Sequence, residues 1–500
     1  MFESLAHGFA VALSPSNLLF AVVGVVLGTV VGVLPGIGPP TTVALLLPLT
    51  SGVDVTAAVI MLAGIFYGAM YGGSTTSILV NLPGEAASVV TTYDGYQMAQ
   101  QGRAGGALAI AAIGSFVAGT LGVIGLTFLS PALSELALRF GPPEYFGLTL
   151  LGLTLVASLA TGSMLRGLLM AALGLWLGMI GLDPVQGTQR FTFGILELSD
   201  GIDLVPITMG LFGVGEILYN LRQAQEMPTV RRAVIDWSRS LREVIQSRWA
   251  ILRGSLVGFF VGILPGGGAI ISSLLAYAME KRLARDPSRF GHGAPEGVAA
   301  PESANNAAAT TSMIPMMLLG VPGNATTALI LAAFLIHGVR PGPFLLRDHP
   351  DVFWGVVASM YIGNVLLIVL NLPLVGVFIQ LLRVPYRYLA VLIALLTMIG
   401  AYSINNSIFD VWLMLLFGGL GYVCRVLRFD VGPLIIAFVL GPMVELSLRQ
   451  SLIMSRGDIG ILFARPAATA FVLAAVGLLA GQMVSSSLRY FGGLRRAQVG

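Results

Sequence analysis

The sequence predicts an all-α polytopic membrane protein made of two inverted repeats, each of which contains a broken re-entrant helical hairpin. Of its 500 residues, 56% are hydrophobic and 10% are charged, whereas a soluble domain carries about 25% charged residues. Long apolar runs recur along the chain, and two of them are interrupted by Pro-Gly sequences at corresponding places. Since one span takes about 20 residues, we expect roughly 10 to 14 embedded segments, some of them half-helices.

The clearest interruption lies in the apolar run 254–279, whose centre reads G-I-L-P-G-G-G. Pro265 removes a backbone donor, and the following Gly266, Gly267 and Gly268 have low helix propensity, so we expect the helix to break there. Broken backbone at bilayer depth is tolerated only where it is buried in protein or lines a water-filled cavity. The break therefore predicts a binding site or the tip of a re-entrant hairpin.

The same pattern occurs at 28–38, which reads G-T-V-V-G-V-L-P-G-I-G. Aligning Pro35 with Pro265 gives an offset of 265 − 35 = 230 residues. A second pair of motifs follows, because T-T-S at 75–77 precedes L-P-G-E and T-T-S at 310–312 precedes V-P-G-N, although the spacing between the two motifs differs by four residues. Interrupted apolar segments at matching places in two halves are the best sequence indication of a transporter binding site.

Basic residues are distributed unevenly along the chain. No Lys or Arg precedes Arg103, whereas 222–253 and 281–289 are rich in arginine. Because basic loops stay in the cytoplasm, we expect both flanks of the second broken segment to lie inside. The flanks of the first broken segment lack basic residues and are expected outside, so the two repeats would be inverted.

A basic amphipathic stretch marks the boundary between the halves. Its apolar members recur at helical spacing among arginines, which predicts a helix at the inner membrane surface; they are Val230, Val234, Trp237, Leu241, Val244 and Trp249. A solvated linker helix is the alternative. The predicted parts are therefore repeat 1 over 1–220, a cytoplasmic amphipathic linker helix over 221–250, and repeat 2 over 251–500.

Small polar residues accompany both breaks, at 71–77 and 305–312. Hydroxyls, amides and nearby free backbone groups suit a carboxylate at a half-helix N-terminus, or Na⁺ at unwound carbonyls. Close helix packing through small residues is the alternative, but the paired breaks favour a binding site. The predicted substrate-binding residues are Pro35, Gly36, Gly38, Ser74, Thr75, Thr76, Asn81, Pro83, Gly84, Pro265, Gly266, Gly267, Gly268, Asn305, Asn306, Thr310, Thr311, Ser312, Pro322, Gly323 and Asn324.

Four charged or helix-starting residues near these motifs have simpler interpretations. Pro301 and Glu302 fit the first turn of a helix, where proline is tolerated and glutamate complements the dipole. Arg103 and Arg340 follow the two Pro-Gly turns at similar distances. We interpret both arginines as interfacial anchors, with charge balance for an anionic substrate as the alternative.

The chain lacks the motifs of common nucleotide-dependent and hydrolytic enzymes. Its one lysine, Lys281, follows Glu280, so no G-K-[ST] sequence of a P-loop is present. Neither H-E-x-x-H nor G-x-S-x-G occurs, and the four histidines are scattered without metal-ligand spacing. We therefore expect no enzyme activity, no metal site and no cofactor, and the net charge of +3 gives no indication of a nucleic-acid partner.

Five stretches together resemble a known family. They read G-V-L-P-G-I-G-P, Y-G-G-S-T-T-S-I-L-V-N-L-P-G-E, G-I-L-P-G-G-G, A-P-E-S-A-N-N-A and G-V-P-G-N. In these stretches the chain resembles the large membrane subunit of the tripartite tricarboxylate transporters. The resemblance extends over about residues 10 to 485.

This resemblance implies a multi-pass permease of the bacterial inner membrane that works with a small four-helix membrane subunit and a periplasmic solute-binding protein. It implies uptake of a small carboxylate, such as a tri- or dicarboxylate, by symport with an ion, commonly Na⁺. It also implies kinship with transporters that move a hairpin-bearing domain against a fixed scaffold.

Two rival functions are weighed against this transporter. A channel for small anions, working without a binding protein, would also need a wet pore of broken helices, and it would show flux without saturation. An intramembrane enzyme would need a catalytic constellation, which the sequence does not show. Citrate, a dicarboxylate and an aromatic acid would each suit the predicted anion site.

Overall fold

The computed structural model describes residues 1–34, 36–160, 163–222, 236–381 and 386–497. Within these ranges the chain is almost entirely helical, and its two strands, β1 (Gly181–Leu182) and β2 (Gln189–Arg190), form one short antiparallel pair. Eight described helical segments are long and apolar enough to cross a membrane, and three shorter apolar helices accompany them. The predicted all-α polytopic membrane class is therefore confirmed.

The first set of α-helices ends before residue 223. They are α1 (Phe2–Ala12), α2 (Pro15–Val33), α3 (Pro39–Leu46), α4 (Val55–Val80), α5 (Thr91–Gln100), α6 (Ala104–Ala137), α7 (Pro142–Leu159), α8 (Met164–Leu177), α9 (Leu204–Thr208) and α10 (Gly215–Arg222). A π-helical segment, Met209–Val214, joins α9 to α10.

The second set begins after residue 235. They are α11 (Trp237–Gln246), α12 (Arg248–Ile263), α13 (Gly268–Leu283), α14 (Glu296–Thr311), α15 (Met313–Leu319), α16 (Ala325–Ile336), α17 (Leu345–Asp348), α18 (Pro350–Asn371), α19 (Val375–Leu381), α20 (Tyr386–Asn405), α21 (Ile408–Val426), α22 (Gly432–Met454), α23 (Ile461–Ala464) and α24 (Pro466–Ala497). Short 3₁₀ helices occupy Leu47–Thr50, Ala86–Val89, Leu196–Leu198 and Pro287–Arg289.

Internal contacts group the chain into two compact units. The first comprises Met1–Leu138 and Asp203–Val423, and the second comprises Arg139–Ile202 and Cys424–Gly500. Each unit thus contains segments from both halves of the sequence. The part boundaries at residues 220 and 250 stay predictions, and residues 223–235 of the predicted linker helix lie outside the described residues.

Glycine contacts in the first unit reveal a structural repeat. A Cβ atom on Gly28 of α2 would lie 2.5 Å from the carbonyl oxygen of Ile65 in α4, and one on Gly258 of α12 would lie 2.2 Å from that of Ala304 in α14. The first helices match at 258 − 28 = 230 residues, as the motifs predict, and their partners match at 304 − 65 = 239 residues. Only glycine permits such close approach of two helix backbones.

The ends of these partner helices repeat at the same offset of 239 residues. Asn81 ends α4 with φ of 60°, and Gly320 ends α15 with φ of 70°. Directly after the following Pro-Gly sequence, Glu85 and Asn324 each form a capping box, with the hydroxyls of Ser88 and Thr327 respectively. The α4 helix therefore corresponds to α14 and α15 taken together.

This register shows that the two T-T-S stretches are not equivalent. At an offset of 239, Thr310 corresponds to Tyr71, because 310 − 239 = 71. When the Pro-Gly turns are aligned, the two T-T-S stretches therefore lie one helical turn apart. This explains why the spacing from T-T-S to Pro-Gly differs by four residues between the halves.

The two repeats exchange contacts reciprocally within the first unit. Helix α1 packs on α18 while α11 packs on α6, and α5 packs on α14 while α16 packs on α4. Each half therefore completes the packing of the other. The orientation of the repeats in a membrane, and with it their inversion, stays a prediction.

The second unit is a smaller helical assembly of α7, α8, α22, α23 and α24. Helix α7 packs on α22 and α24, and α8 packs on α22. Buried acids in this unit are matched by arginines, since Glu144 lies 2.7 Å from Arg465 and Asp183 lies 3.0 Å from Arg449.

Candidate functional site

Both predicted helix breaks are present. In the second half α12 ends at Ile263 and α13 begins at Gly268, and in the first half α2 ends at Val33 and α3 begins at Pro39. Pro35 itself lies outside the described residues.

A positive φ recurs at the same position of each break. The values are +87° at Gly36 and +79° at Gly266, and 266 − 36 = 230. This left-handed region is readily adopted by glycine alone, so Gly36 and Gly266 give the backbone the same turn in both breaks.

The backbone of the second break is tied to the Pro-Gly turn after α15. The N–H of Gly266 donates to the carbonyl oxygen of Gly323 at 2.8 Å, and the N–H of Gly267 donates to that of Leu264 at 2.9 Å. In this conformation both N–H groups therefore have acceptors already. A direct bond from Gly266 to a carboxylate requires the break and the turn to separate, and one from Gly267 requires its bond to Leu264 within the break to open. Substrate binding by these residues stays a prediction.

The first break has different neighbours. The side-chain Nδ2 of Asn220 in α10 donates to the carbonyl oxygen of Gly36 at 2.7 Å. Thr41, just beyond Gly38 in α3, donates to the buried Glu216 of the same helix α10. The structure thus places Gly36 and Thr41 beside α10, and Gly38 lies between them in the chain.

Most hydroxyls of the two T-T-S stretches bond to their own helices. Thr76 donates to the carbonyl oxygen of Gly73 at 3.2 Å, Thr311 to that of Ala307 at 2.9 Å, and Ser312 to that of Ala309 at 2.8 Å. These side chains are buried and locally satisfied. Their role in binding a substrate stays a prediction.

Glu302 lies in a different place from the one expected. Helix α14 begins at Glu296, so Pro301 and Glu302 lie in its second turn rather than its first. The side chain of Glu302 is fully buried, and its two carboxylate oxygens accept hydrogen bonds from Ser74 of α4 and Thr91 of α5. The expected capping role is therefore wrong, and Glu302 joins three helices.

A second buried carboxylate, that of Glu85, lies near Glu302. One of its oxygens accepts from the backbone N–H of Ala87 at 2.6 Å, and the other accepts from Asn305 Nδ2 at 3.2 Å. The adjacent Asn306 donates from Nδ2 to Ser115 at 2.7 Å and to the carbonyl oxygen of Glu302 at 3.2 Å. The predicted residues Ser74, Asn305 and Asn306 thus meet around these acids.

Two oxygen atoms in this cluster lack hydrogen-bond partners. The side-chain Oδ1 atoms of Asn305 and Asn306 are buried, and neither has a partner. Throughout the described ranges, neither Glu85 nor Glu302 forms an ion pair with a Lys, Arg or His side chain. We call Glu85, Glu302, Asn305 and Asn306 the buried acid cluster. The cluster can supply several oxygen ligands to a hard cation.

A small cavity adjoins the buried acid cluster. Its lining combines hydroxyl, amide and apolar side chains, and its wall is formed by Tyr71, Ser74, Thr75, Leu108, Ala111, Ala112, Ser115 and Asn371. Ser74 and Ser115 also contact the buried acid cluster. Of the predicted residues, Ser74 and Thr75 line this cavity.

Other predicted residues lie elsewhere or serve local structure. Asn81 is exposed at the end of α4, and Asn324 caps α16 through the N–H of Thr327 at 2.9 Å. Gly84, in the turn after α4, lies against α2, because an added Cβ would be 2.0 Å from the carbonyl oxygen of Gly32. The contacts of Gly84 and Asn324 therefore account for these two residues of the Pro-Gly turns by a structural role.

Arg103 is also placed by the structure. Its guanidinium lies 2.9 Å from the carboxylate of Glu243 in α11 and donates to the carbonyl oxygen of Gly293 at 3.2 Å. It therefore joins α6 to α11 and to the loop before α14, and it does not contact the buried acid cluster.

Glu85 and Glu302 were not predicted as site residues from the sequence, although each stands inside one of the quoted motifs. An ionisable residue within a membrane-embedded protein is by default a functional candidate, and that signal could have found both. Among the described residues, no group of three or more His, Cys, Asp or Glu side chains could hold a metal ion.

Comparisons with known proteins agree with the family resemblance of the motifs. A family model described as "Tripartite tricarboxylate transporter TctA family" matches residues 18–436. An uncharacterized 52.8 kDa protein of Agrobacterium vitis, from the TAR-I ttuC' 3'region, is 48% identical over 478 residues, which cover 96% of this chain and 95% of that protein. Another uncharacterized protein of Agrobacterium vitis, from the TAR-II ttuC' 3'region, is 48% identical over 215 residues, covering 43% of this chain and 89% of that protein. No solved structure gives a significant match.

Proposed function

Because the chain belongs to the tripartite tricarboxylate transporter TctA family, we propose that it is the permease subunit of a binding-protein-dependent importer of a small carboxylate. The family match over residues 18–436 carries this proposal, since that family consists of transporter components. The chain is a multi-pass membrane protein. We place it in the bacterial inner membrane, where such an importer would act.

The driving force in this proposal is an ion gradient, with Na⁺ as the coupling ion. The absence of a P-loop sequence supports secondary transport, because this chain has no such route to ATP hydrolysis. Broken helices supply free backbone groups near the middle of a membrane protein, which is where transporters bind substrates and coupling ions.

The geometry suggests how the breaks take part. The bond from Gly266 to Gly323 holds the second break against the Pro-Gly turn. When the two separate, the N–H of Gly266 and the carbonyl oxygen of Gly323 become available to an anion and a cation respectively. Substrate entry would then be coupled to movement of the hairpin formed by α12 and α13.

Two partners belong to the proposal. They are a small membrane subunit with four helices and a periplasmic binding protein that delivers the substrate. The tripartite family implies partner subunits of this kind. If the genes next to this one encode neither, the binding-protein-dependent part of the proposal is overturned.

Uptake into right-side-out membrane vesicles tests the proposal. Vesicles containing the complete system receive a radiolabelled tricarboxylate, dicarboxylate or aromatic acid, with the binding protein added outside. We expect saturable uptake that needs the binding protein and stops when the Na⁺ gradient is dissipated while ATP is kept high. Unsaturable flux without the binding protein would identify a channel instead, and uptake that persists without an ion gradient would exclude secondary transport.

A further inference from the structure

We propose that the buried acid cluster is a binding site for one dehydrated Na⁺ ion, held between α4, α5 and α14. The inference rests on the proposed function and gives its coupling ion specific protein ligands. The ligands are carboxylate oxygens of Glu85 and Glu302 and the side-chain Oδ1 atoms of Asn305 and Asn306.

The charge of the cluster is the first argument. An ionised carboxylate that is buried without a compensating charge is destabilising by several kcal/mol. Glu302 is 0% exposed and Glu85 is 6% exposed, and the side chains that bond to them are hydroxyls and an amide. The pair is balanced when one carboxyl group carries a proton and a cation binds beside the other, and a bound Na⁺ would supply that positive charge.

Three other buried acids of the chain meet this requirement with an arginine. Glu243 lies 2.9 Å from an Arg103 nitrogen, and Glu144 lies 2.7 Å from an Arg465 nitrogen. Glu280 likewise accepts two hydrogen bonds from Arg253. The buried acid cluster differs from these three because its counter-charge does not come from a described side chain.

The unpartnered amide oxygens are the second, independent argument. Asn305 is 0% exposed and Asn306 is 2% exposed, yet the Oδ1 atom of each lacks a hydrogen-bond partner. Buried polar atoms almost always have partners, and an exception calls for an explanation such as an ion. Asn305 Nδ2 bonds to the Glu85 carboxylate, and Asn306 Nδ2 bonds to the backbone carbonyl oxygen of Glu302, which places both amides beside the two acidic residues.

The internal repeat supplies a third argument. At the offset of 239 residues, Glu302 corresponds to Ala63 and Asn305 to Phe66. The other copy therefore forms the same helix pair without a counterpart of Glu302 or Asn305. These two residues are thus not needed for the helix pair to form, which favours a functional role for them, whereas Glu85 also caps the turn of its own half.

The ligand chemistry selects the ion. Carboxylate, hydroxyl and amide oxygens suit hard cations, and no sulfur or imidazole ligand contributes. A coupling ion must bind and leave in each cycle, whereas Mg²⁺ dehydrates reluctantly and Ca²⁺ takes six to eight oxygen ligands. Na⁺ fits a buried site with few ligands and a single exchangeable charge.

Equilibrium binding of ²²Na⁺ to the purified full-length chain, without any carboxylate, tests the inference. A parallel measurement follows the thermal unfolding midpoint in NaCl, KCl and choline chloride at constant ionic strength. We expect saturable ²²Na⁺ binding and stabilisation specific to Na⁺. The Glu302→Gln and Asn305→Leu variants should weaken Na⁺ binding at least about tenfold, as expected for loss of one charge-assisted ligand.

Glu280→Gln is the matched control, because it also neutralises a buried acid but one that already has an arginine partner. It should bind Na⁺ like the wild type. Absence of ²²Na⁺ binding by the wild-type chain, or stabilisation that follows only pH or Ca²⁺, would overturn the site even if a variant fails to fold. Since no carboxylate is present, these binding results do not depend on uptake. If Glu302→Gln and Asn305→Leu bind Na⁺ like the wild type while the wild type shows Na⁺-driven uptake, the site is refuted and the proposed function stands.

Discussion

The backbone N–H of Gly266 donates a hydrogen bond of 2.8 Å to the carbonyl oxygen of Gly323. These residues are 57 positions apart (323 − 266 = 57) and belong to the two Pro-Gly motifs of the second half. The bond therefore joins a helix break to the turn that follows the partner helix. Because this bond joins two backbone groups, it depends on the backbone conformation at Gly266 and Gly323.

The first prediction concerns Gly266, whose φ is +79°. An alanine in this region is destabilised by about 1–2 kcal/mol, so Gly266→Ala should lower the thermal unfolding midpoint of the purified protein. Gly419→Ala in α21 is the control, since an added Cβ there meets nothing within 4 Å and alanine favours a helix. Equal midpoints for Gly266→Ala and the wild type would show that the break does not need this conformation.

The second prediction concerns the pair formed by Arg103 and Glu243, whose side chains are 17% and 10% exposed. Arg103→Ala leaves a largely buried carboxylate without its main partner, so we expect destabilisation of about 3 kcal/mol. Adding Glu243→Ala should recover part of this loss, because it removes the uncompensated charge. Unfolding of both single variants and the double variant in a cycle measures the coupling.

Arg347→Ala is the matched control for that cycle, since Arg347 is 66% exposed and pairs with Asp348 at 2.8 Å. Exposed pairs contribute about 0–1 kcal/mol, so this variant should unfold much like the wild type. A similar loss for Arg103→Ala and Arg347→Ala would contradict the assignment of Arg103 as a structural link between α6 and α11.

The two breaks were predictable because proline and glycine act locally on the backbone. The buried acid cluster was not, because its bonds join distant residues: Ser74 and Glu302 are 228 positions apart. Local rules also misplaced Glu302, since a proline usually marks a first helical turn, whereas Pro301 lies inside α14. The register of the T-T-S stretches likewise depends on glycine contacts between helices, which the motif spacing does not show.

The third prediction concerns pH and the second unit. Backbone N–H groups of Gln186 and Val185, followed by Arg449, lower the pKa of Asp183 from 3.8 to about 2. A folded-state pKa below the unfolded value means that the charged carboxylate adds stability above about pH 3.8, and that this stability is lost as the pH falls towards 2. Asp183→Asn should therefore lower the unfolding midpoint near neutral pH.

The difference between Asp183→Asn and the wild type should shrink as the pH is lowered from 5 towards 3. The measurement is the unfolding midpoint of both proteins across this range. Asp200→Asn, in the same segment between α8 and α9, serves as the control variant. A difference that stays constant with pH would mean that the ionised carboxylate is not what stabilises the segment.

The last prediction concerns the inversion of the two repeats, which follows from the charge distribution. Arg285 lies in the basic stretch after α13 and is exposed, and Ser51 lies in the basic-free segment after α3 and is also exposed. Because basic loops stay in the cytoplasm, a cysteine at Arg285 should resist an impermeant thiol reagent added outside intact cells. A cysteine at Ser51 should react with it.

Both variants are made in a Cys424→Ser background, which removes the one native thiol. Reaction of both cysteines from outside, or protection of both until the cells are opened, would place the two breaks on one side of the membrane and refute the inverted arrangement.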